Sequence, residues 1–491
     1  MVRLTASDIY TYHRPSKCEL RVYLRHHGEQ EAPPSPYEEI LRELGEKHEA
    51  THLQTFTKYV DLSLAALEEG ARRTKEEVAR KTAVIYQPVL KATLIIKGFE
   101  WEVIGQPDFL IYDSDCYVIR DSKISRRINE RDHPEIFQQL ELYGWLYEQS
   151  FDHAPSGLQV HSGANEIIDI PYGDGKIALE LLQKIAAIKE IGAEFYSPVG
   201  WSKCTGCAFH QHCWPRAEKN NDVALVFGVD QGLAEALRER GTQTYEALLA
   251  EFDEHQLAEF QRPWGKGMQR VGKKAKAIMH MAEAKQLGEE IILKPPEVPE
   301  FPNYVMFDLE GLPPQLDELE KIYLWGVQVF GNSPGEYRAA IADFGVDGDR
   351  RGWEQFLEHA KVVFDEYGDL PFVHWHHYEK GRLNMYIERH GDPDGIVGRV
   401  QKNLLDLLPI TQNSIALPLP SYSLKSVEKY VGFKRSQDEY GGSWAMAKYI
   451  EAIETEDENL RAEVMDQILV YNQEDLAATW AVLQWLKTKA S

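Results

Sequence analysis

The chain has 491 residues, 43% of them apolar and 27% charged, enough to bury ordinary globular cores and, at roughly 100–200 residues per domain, to form two to four of them. Lys and Arg number 54 against 78 Asp and Glu, for a formal net charge of -24. This counts against a simple cationic nucleic-acid binder, because phosphate contacts need basic side chains, but leaves room for a carboxylate-rich metal enzyme with a local basic stripe. No apolar run approaches the ~18 residues of a membrane span, and the opening MVRLTASDIYTYHRP lacks the apolar stretch of a secretory signal. No membrane partner and a cytoplasmic location are therefore expected.

Residues 1–220 mix helix and strand. Residues 38–53 predict a helix, with Leu41, Leu44 and His48 at helical spacing. Residues 84–97 and 100–112 predict strands, 117–119 continue the pattern, and 134–149 predict an amphipathic helix, which together make an α/β unit. Residues 221–292 read as short helices punctuated by Gly228, Gly232, Gly241, Gly265, Gly267 and Gly272. Between Arg262 and Lys276 lie Lys266, Arg270, Lys273 and Lys274 and no acidic residue. LKPPEVPEFP (293–302) is a proline-rich, extended boundary. The last region, 300–491, opens with the strand YVMFDLEG and the apolar run IYLWGVQVF. A helix near 353–365, the strand LPFVHW and a final helix over 460–487 follow.

Four features of the first region point to phosphodiester chemistry. Asp108 stands in GQPDFL, Asp121 and Lys123 end a strand in YVIRDSK, His48 lies on the early helix in GEKHEA, and Gln139 and Tyr143 share a helical face in QLELY. Hydrolysis of a phosphodiester wants a hard cation held by oxygen ligands. Two carboxylates at adjacent strand ends can share one ion. Asp121 and Lys123, two apart, leave the strand on the same face. The nitrogen of His48 favours Mn²⁺ over Mg²⁺. A lone D-x-K is nearly noise; the ordered series is what carries weight. That series resembles the RecB-type branch of the PD-(D/E)XK nucleases, over roughly the first 215 residues. The resemblance implies a restriction-endonuclease-like core in which His48, Asp108 and Asp121 bind metal, Lys123 is catalytic, and Gln139 and Tyr143 line the site.

Five cysteines, an odd number, argue against a disulfide framework in an intracellular protein. Cys204-x2-Cys207-x5-Cys213, with the distant Cys18, points to a metal site. Four thiolates suit zinc or iron–sulfur. A zinc ribbon normally carries two Cys pairs, and this arrangement departs from that. It resembles the iron–sulfur clasp of RecB-type nucleases, which implies a [4Fe–4S] cluster stapling the domain's two ends. Cys116 is expected to be a small buried hydrophobe.

In the middle region, GVDQGLAEALRERG and RPWGKGMQRVGKKAKA resemble helix-hairpin-helix units. That implies backbone contacts to DNA from Lys266, Arg270, Lys273, Lys274 and Lys276. A plain helical linker with a solvated basic face is the competing reading.

In the last region, Asp308 and Glu310 share one face of a strand, and Tyr471 and Asp475 share one face of a helix in YNQED. Glu379 follows a strand in FVHWHHYEKGRL, and Asp406 stands in NLLDLLPI. D-x-E with a helical Y-x3-D resembles the DEDD exonucleases of RNase H-like fold, and SYSLKSVEKYVGF strengthens the likeness. This implies two-metal hydrolysis, with Asp308, Glu310 and Asp475 as ligands and Tyr471 orienting the attacking water. Most DEDD enzymes carry Asp where Glu379 falls, and Asp406 is an alternative fourth carboxylate.

The expected architecture is thus α/β. A PD-(D/E)XK domain (1–220) and an RNase H-like DEDD domain (300–491) are joined by a small helical region (221–292). The expected activity is a metal-dependent deoxyribonuclease, single-strand or end-processing. The alternatives are a nucleic-acid-binding adaptor with inactive sites and a ribonuclease. The chain contains no G-x4-G-K-[ST] phosphate loop, so a helicase acting with it in repair or defence would be a separate polypeptide.

Overall fold

The computed structural model describes residues 2–197, 200–265, 267–314, 316–317, 319–437 and 441–490. They divide into two compact units, the first formed chiefly by residues 2–34 and 38–197 and the second by 211–490. Each is described by itself.

In the first unit, the long helix α1 (Pro36–Leu53) precedes a six-stranded sheet. Its strands stand in chain order: β1 (Val60–Asp61), β2 (Val84–Tyr86), β3 (Phe109–Asp113), β4 (Cys116–Lys123), then, after helix α2 (Pro134–Phe151), β5 (Gly157–Ser162) and β6 (Ile167–Ile170). A second sheet aligns Val2–Thr5, Phe99–Gly105 and Leu90–Ile96. The runs 84–97 and 100–112 each split between the two sheets. β4 reads CYVIRDSK, and Tyr117, Val118 and Ile119 are buried in succession, as befits a central strand covered on both faces. It pairs antiparallel with β3 (Phe109 opposite Arg120) and parallel with β5 (Asp121 opposite Val160). α2 packs on β4 and β5 and buries Leu140, Tyr143, Leu146 and Tyr147.

In the second unit, after the helix His210–Lys219, come the short helices α3 (Gln231–Arg240), α4 (Tyr245–Glu251) and α5 (Glu254–Glu259). α3 follows the expected helical reading: the Asp230 carboxylate accepts from Leu233 N at 3.1 Å as N-cap, and Gly241 ends the helix at φ +102°. RPWGKGMQR is not helical. It forms an antiparallel hairpin of β7 (Gln261–Trp264) and β8 (Gly267–Arg270), because Gly265 turns the chain at φ +60° and the flanking residues pair across it. Helix α6 (Lys274–Leu287) follows.

The rest is a five-stranded sheet flanked by helices. In chain order come β9 (Asn303–Leu312), β10 (Lys321–Gly331), β11 (Arg338–Ile341), α7 (Gly345–Tyr367), β12 (Phe372–His374), α8 (Tyr378–His390), β13 (Leu404–Asp406), α9 (Leu407–Ser414), α10 (Leu424–Tyr430) and α11 (Glu458–Lys489). The sheet order is β11-β10-β9-β12-β13, antiparallel up to β9 and parallel beyond it. β9 is central and almost continuously apolar. On one side, α7 presents Trp353, Phe356, Ala360, Val363 and Phe364 at helical spacing to Phe307, Trp325 and Phe372. On the other, α11 lies across β9 and β10, with Trp480 packed on Tyr304 and Phe330.

Two candidate metal centres

In the first unit, Asp108 immediately precedes β3, and its strand neighbour β4 carries Asp121. The two carboxylates interlock with the backbone. Asp108 N donates to Asp121 Oδ1 at 3.1 Å, and Ser122 N donates to Asp108 Oδ2 at 2.6 Å. The Lys123 ammonium lies 2.7 Å from Asp121 Oδ2, so the expected D-x-K pair does share a face. Burial, then the charge of Asp121, pushes the Asp108 carboxyl well above the carboxylate range. Burial pulls the Lys123 ammonium down, but Asp121 and Asp108 outweigh it and leave it raised. One buried and one partly buried carboxylate with one lysine are a donor set short of positive charge, which suits a divalent cation.

Tyr143, buried, accepts from Gln139 Nε2 at 2.7 Å and donates to Gln106 O at 3.2 Å. Gln139, Tyr143 and Lys123 line one cavity of about 630 Å³, together with Thr5, Arg25 and Gln106. His48 is placed differently from the carboxylates. Its ring stacks on His161 at 4.3 Å, with Nε2 3.4 Å from His161 O, and His161 stacks in turn on His52 at 3.9 Å. Burial and neighbouring cationic groups lower His52 and His161 to about 4, so both rings are neutral packing groups at physiological pH.

Glu49, beside His48, was missed in the sequence. Gln87 Nε2 donates both to Glu49 Oε1 at 2.5 Å and to Asp108 Oδ1 at 3.1 Å, and so links the helix to the carboxylate pair. The signal was a second ligand-type residue directly after His48 in KHEA.

In the second unit, ligand atoms of Asp308, Glu310 and Asp475 all lie within 4.8 Å of one another. β9 places Asp308 and Glu310 two apart on one face, and α11 brings Asp475 over them. Burial first, then the charge of Asp475, raises Asp308 far above its ordinary range; burial and the charge of Asp308 do the same to Glu310. Tyr471, one turn before Asp475, is buried, and burial with the charges of Glu310 and Asp475 pushes its hydroxyl well above its ordinary range.

The other two predicted carboxylates hold partners of their own, while the charge of Glu379 still bears on Asp308. Glu379 Oε2 lies 3.0 Å from His374 Nδ1, both side chains being buried. Asp406 caps α9: its Oδ1 accepts from Leu408 N at 3.0 Å and from His376 N at 2.9 Å. Three further groups went unassigned in the sequence. Lys425 Nζ lies 2.6 Å from Asp475 Oδ1 and 4.5 Å from the centre of the Tyr471 ring. Arg435 bonds the same Asp475 oxygen and is held in a two-point pair with Glu428 at 2.8 and 2.7 Å. Asn472 Nδ2 donates to Asp308 Oδ2 at 2.7 Å. Lys425 stands in the quoted SYSLKSVEKY, so its signal was present without a role.

Cys18, Cys204, Cys207 and Cys213 lie apart from these carboxylate groups in the chain. Cys18 immediately precedes the helix Glu19–His26, Cys204 is buried at the end of the short helix Trp201–Cys204, and Cys213 lies in the helix His210–Lys219. No disulfide links any of the five cysteines. Cys116 is not a buried hydrophobe. It is part-exposed, with Sγ 3.4 Å from His153 Nδ1 and 3.3 Å from Ala154 O, because the start of β4 lies at the rim of the sheet. Of the predicted basic contacts, Lys273, Lys274 and Lys276 are exposed, Arg270 pairs with Glu259 at 2.8 Å, and Lys266 lies outside the described residues.

Residues 20–214 match the family model of the PD-(D/E)XK nuclease superfamily, and residues 305–487 match that of the RNase_H superfamily. No curated protein matches the chain. Among solved structures, the crystal structure of SSO0001 is similar at 14% identity. It covers 35% of this chain and 95% of that one, with a TM-score of 0.21, too low to carry an argument. The chain therefore has an α/β fold that joins a PD-(D/E)XK domain to an RNase H-like domain, both of superfamilies that include nucleases.

Proposed function

We propose that the chain is a metal-dependent deoxyribonuclease with two hydrolytic sites, acting on single strands or ends. The observation that carries this reading is the convergence of Asp308, Glu310 and Asp475 within 4.8 Å, in the domain that follows the Asp108–Asp121–Lys123 group. Buried like charges of this kind are costly without a counter-ion, and their arrangement fits a divalent cation, Mg²⁺ or Mn²⁺. Such an ion supplies Lewis-acid polarisation of the phosphate and a hydroxide nucleophile.

At the first site, Asp108 and Asp121 would hold the ion, and the ligand role of His48 rests on its motif alone, its ring being stacked on His161. Lys123 meets charge on the phosphate, and Gln139 and Tyr143 line the cavity where substrate lies. At the second, Asp308, Glu310 and Asp475 hold metal and Tyr471 orients water. Glu379, kept by His374, and Asp406, capping a helix, support the fold around them. Cys18, Cys204, Cys207 and Cys213 would ligate a [4Fe–4S] cluster in this reading, supported by their spacing. Zinc is the competing ligand, and iron and acid-labile sulfide assays on anaerobically purified protein separate the two. Lys266, Arg270, Lys273, Lys274 and Lys276 serve the DNA backbone.

The test is cleavage of end-labelled single- and double-stranded DNA by anaerobically purified protein with Mn²⁺ or Mg²⁺, beside Asp121→Ala and Asp308→Ala. Each substitution is expected to remove one component of the cleavage pattern. A wild-type protein with its metals and cluster intact that cuts neither DNA form overturns the reading; RNA cleavage in its place reassigns the substrate.

A further inference from the structure

The hairpin β7–β8 in the second unit carries two exposed large apolar side chains. Trp264 is 56% exposed and Met268 63% exposed. Every other described residue of the two strands except Arg262 is exposed as well, so the hairpin stands out from the body on both faces. Its base is anchored. Arg262 is buried and pairs with Asp230 at 2.6 Å, and the carbonyl of Pro263 seats against Gly232, where a Cβ would come within 2.4 Å of it. Val271 N donates to Phe260 O at 3.0 Å, which closes the hairpin onto the end of α5. Trp264 therefore projects from a rigid stem, with the Arg262 guanidinium 4.6 Å from its ring centre on one face.

A projecting indole is costly to leave in water, and one with a cation behind it is a stacking platform for a flat, electron-rich partner. The surrounding charge narrows the partner. In a chain of net charge -24, the stretch 262–276 contains no carboxylate, and the hairpin leads within six residues to exposed Lys273, Lys274 and Lys276. An aromatic platform beside a basic turn is complementary to unpaired bases on a phosphodiester strand. A paired duplex keeps its base faces stacked and offers the indole none.

We infer that the β7–β8 hairpin binds unpaired nucleotides, with Trp264 stacking on a base and Lys273, Lys274 and Lys276 holding the adjacent phosphates. The inference rests on the nuclease reading for its substrate class and adds strand state to it.

The experiment uses the full chain carrying Asp121→Ala and Asp308→Ala, so that probes stay intact. Fluorescence anisotropy reports binding to a labelled single strand, to the same sequence as duplex and to the RNA strand, and a 2-aminopurine base in the single strand reports stacking. The expected result is preference for single strands, 2-aminopurine quenching on binding, and about tenfold weaker binding with loss of quenching in Trp264→Ala. Trp264→Phe should restore most of both. Unchanged single-strand affinity and quenching in Trp264→Ala, with weakened binding in Lys273→Ala/Lys274→Ala, would overturn the stacking role while leaving a nucleic-acid-binding protein. Absence of binding to every nucleic acid would bring down the nuclease reading itself. A change of oligomeric state in Trp264→Ala, measured by light scattering, would assign the hairpin to a protein contact instead.

Discussion

Asn472 Nδ2 donates to Asp308 Oδ2 at 2.7 Å, while its own Oδ1 accepts from Tyr337 Oη at 2.9 Å. One buried amide on α11 thus ties the Asp308 carboxylate of β9 to the loop before β11. The arrangement depends on Gly326, opposite Asp308 on β10: a Cβ there would lie 1.8 Å from Asn472 Oδ1.

Asn472→Ala leaves the Tyr337 hydroxyl and one Asp308 oxygen without their partner. A buried polar group left unsatisfied costs about 1–3 kcal/mol, and a loss of this size is expected in chemical denaturation. Gly326→Ala should produce a similar loss by displacing the same amide. If Asn472→Ala unfolds at the wild-type denaturant midpoint, the amide is not a structural tie.

The buried carboxylates make metal-free stability depend on pH. Asp308 and Glu310 have folded-state pKa values raised well above the ordinary carboxylate range. The folded protein therefore holds protons that the unfolded chain releases. Their stabilising contribution is full below about pH 4, the ordinary carboxylate value, and is lost as pH rises through the raised values. With chelator present, the wild-type melting temperature should fall more steeply with rising pH than that of Asp308→Asn/Glu310→Gln. Mn²⁺ should raise the wild-type value most at high pH, where the carboxylates are charged. Parallel pH curves for the two proteins would show that these groups are not coupled to folding.

Arg435 has a nearly fully buried side chain, paired with both Glu428 and Asp475. Arg435→Met strands the buried Glu428 and leaves Asp475 with Lys425 alone, and breaking a buried pair in this way costs about 3–5 kcal/mol. Lys425→Met, at a more exposed position, should leave stability within about 1 kcal/mol while changing the metal dependence of the second site. Calorimetric titration of Mn²⁺ into the two variants distinguishes these effects. Equal destabilisation would show that Lys425 also serves the fold.

At the first site, Asp121→Asn keeps an acceptor for Asp108 N and removes the charge that faces Lys123. It should fold normally and lose cleavage by about 10²-fold or more, the scale expected when a charged group is removed from a preorganised site. Glu49→Gln tests whether the Glu49–Gln87–Asp108 chain only positions Asp108. A positioning role predicts weaker Mn²⁺ binding with the cleavage rate at saturating metal little changed, and a fall in that saturated rate alone would place Glu49 in the chemistry.

Much was legible locally. The apolar run before Asp308, the two-residue spacing of Asp308 and Glu310 and of Asp121 and Lys123, and the one-turn spacing of Tyr471 and Asp475 specify element type and shared face without reference to the rest of the chain, because strand and helix periods are local geometry. What a side chain meets across the fold is not local. Asn472 adjoins Tyr471 yet reaches Asp308, 164 residues away, because α11 lies across β9 and only Gly326 lets it approach. Helical spacing alone gave it no role. Asp406 has the residue type of a ligand, but the end of β13 sets it at the start of α9, where orphan amides claim it as a cap. The basic, glycine-rich stretch after Arg262 carried composition for nucleic-acid contact and was misread in shape, since Gly265 with paired flanks closes a hairpin that periodicity does not reveal. Sequence by itself determined which groups were available and which face each took. The tertiary structure decided which of them meet, because burial and long-range packing select partners that no local period encodes.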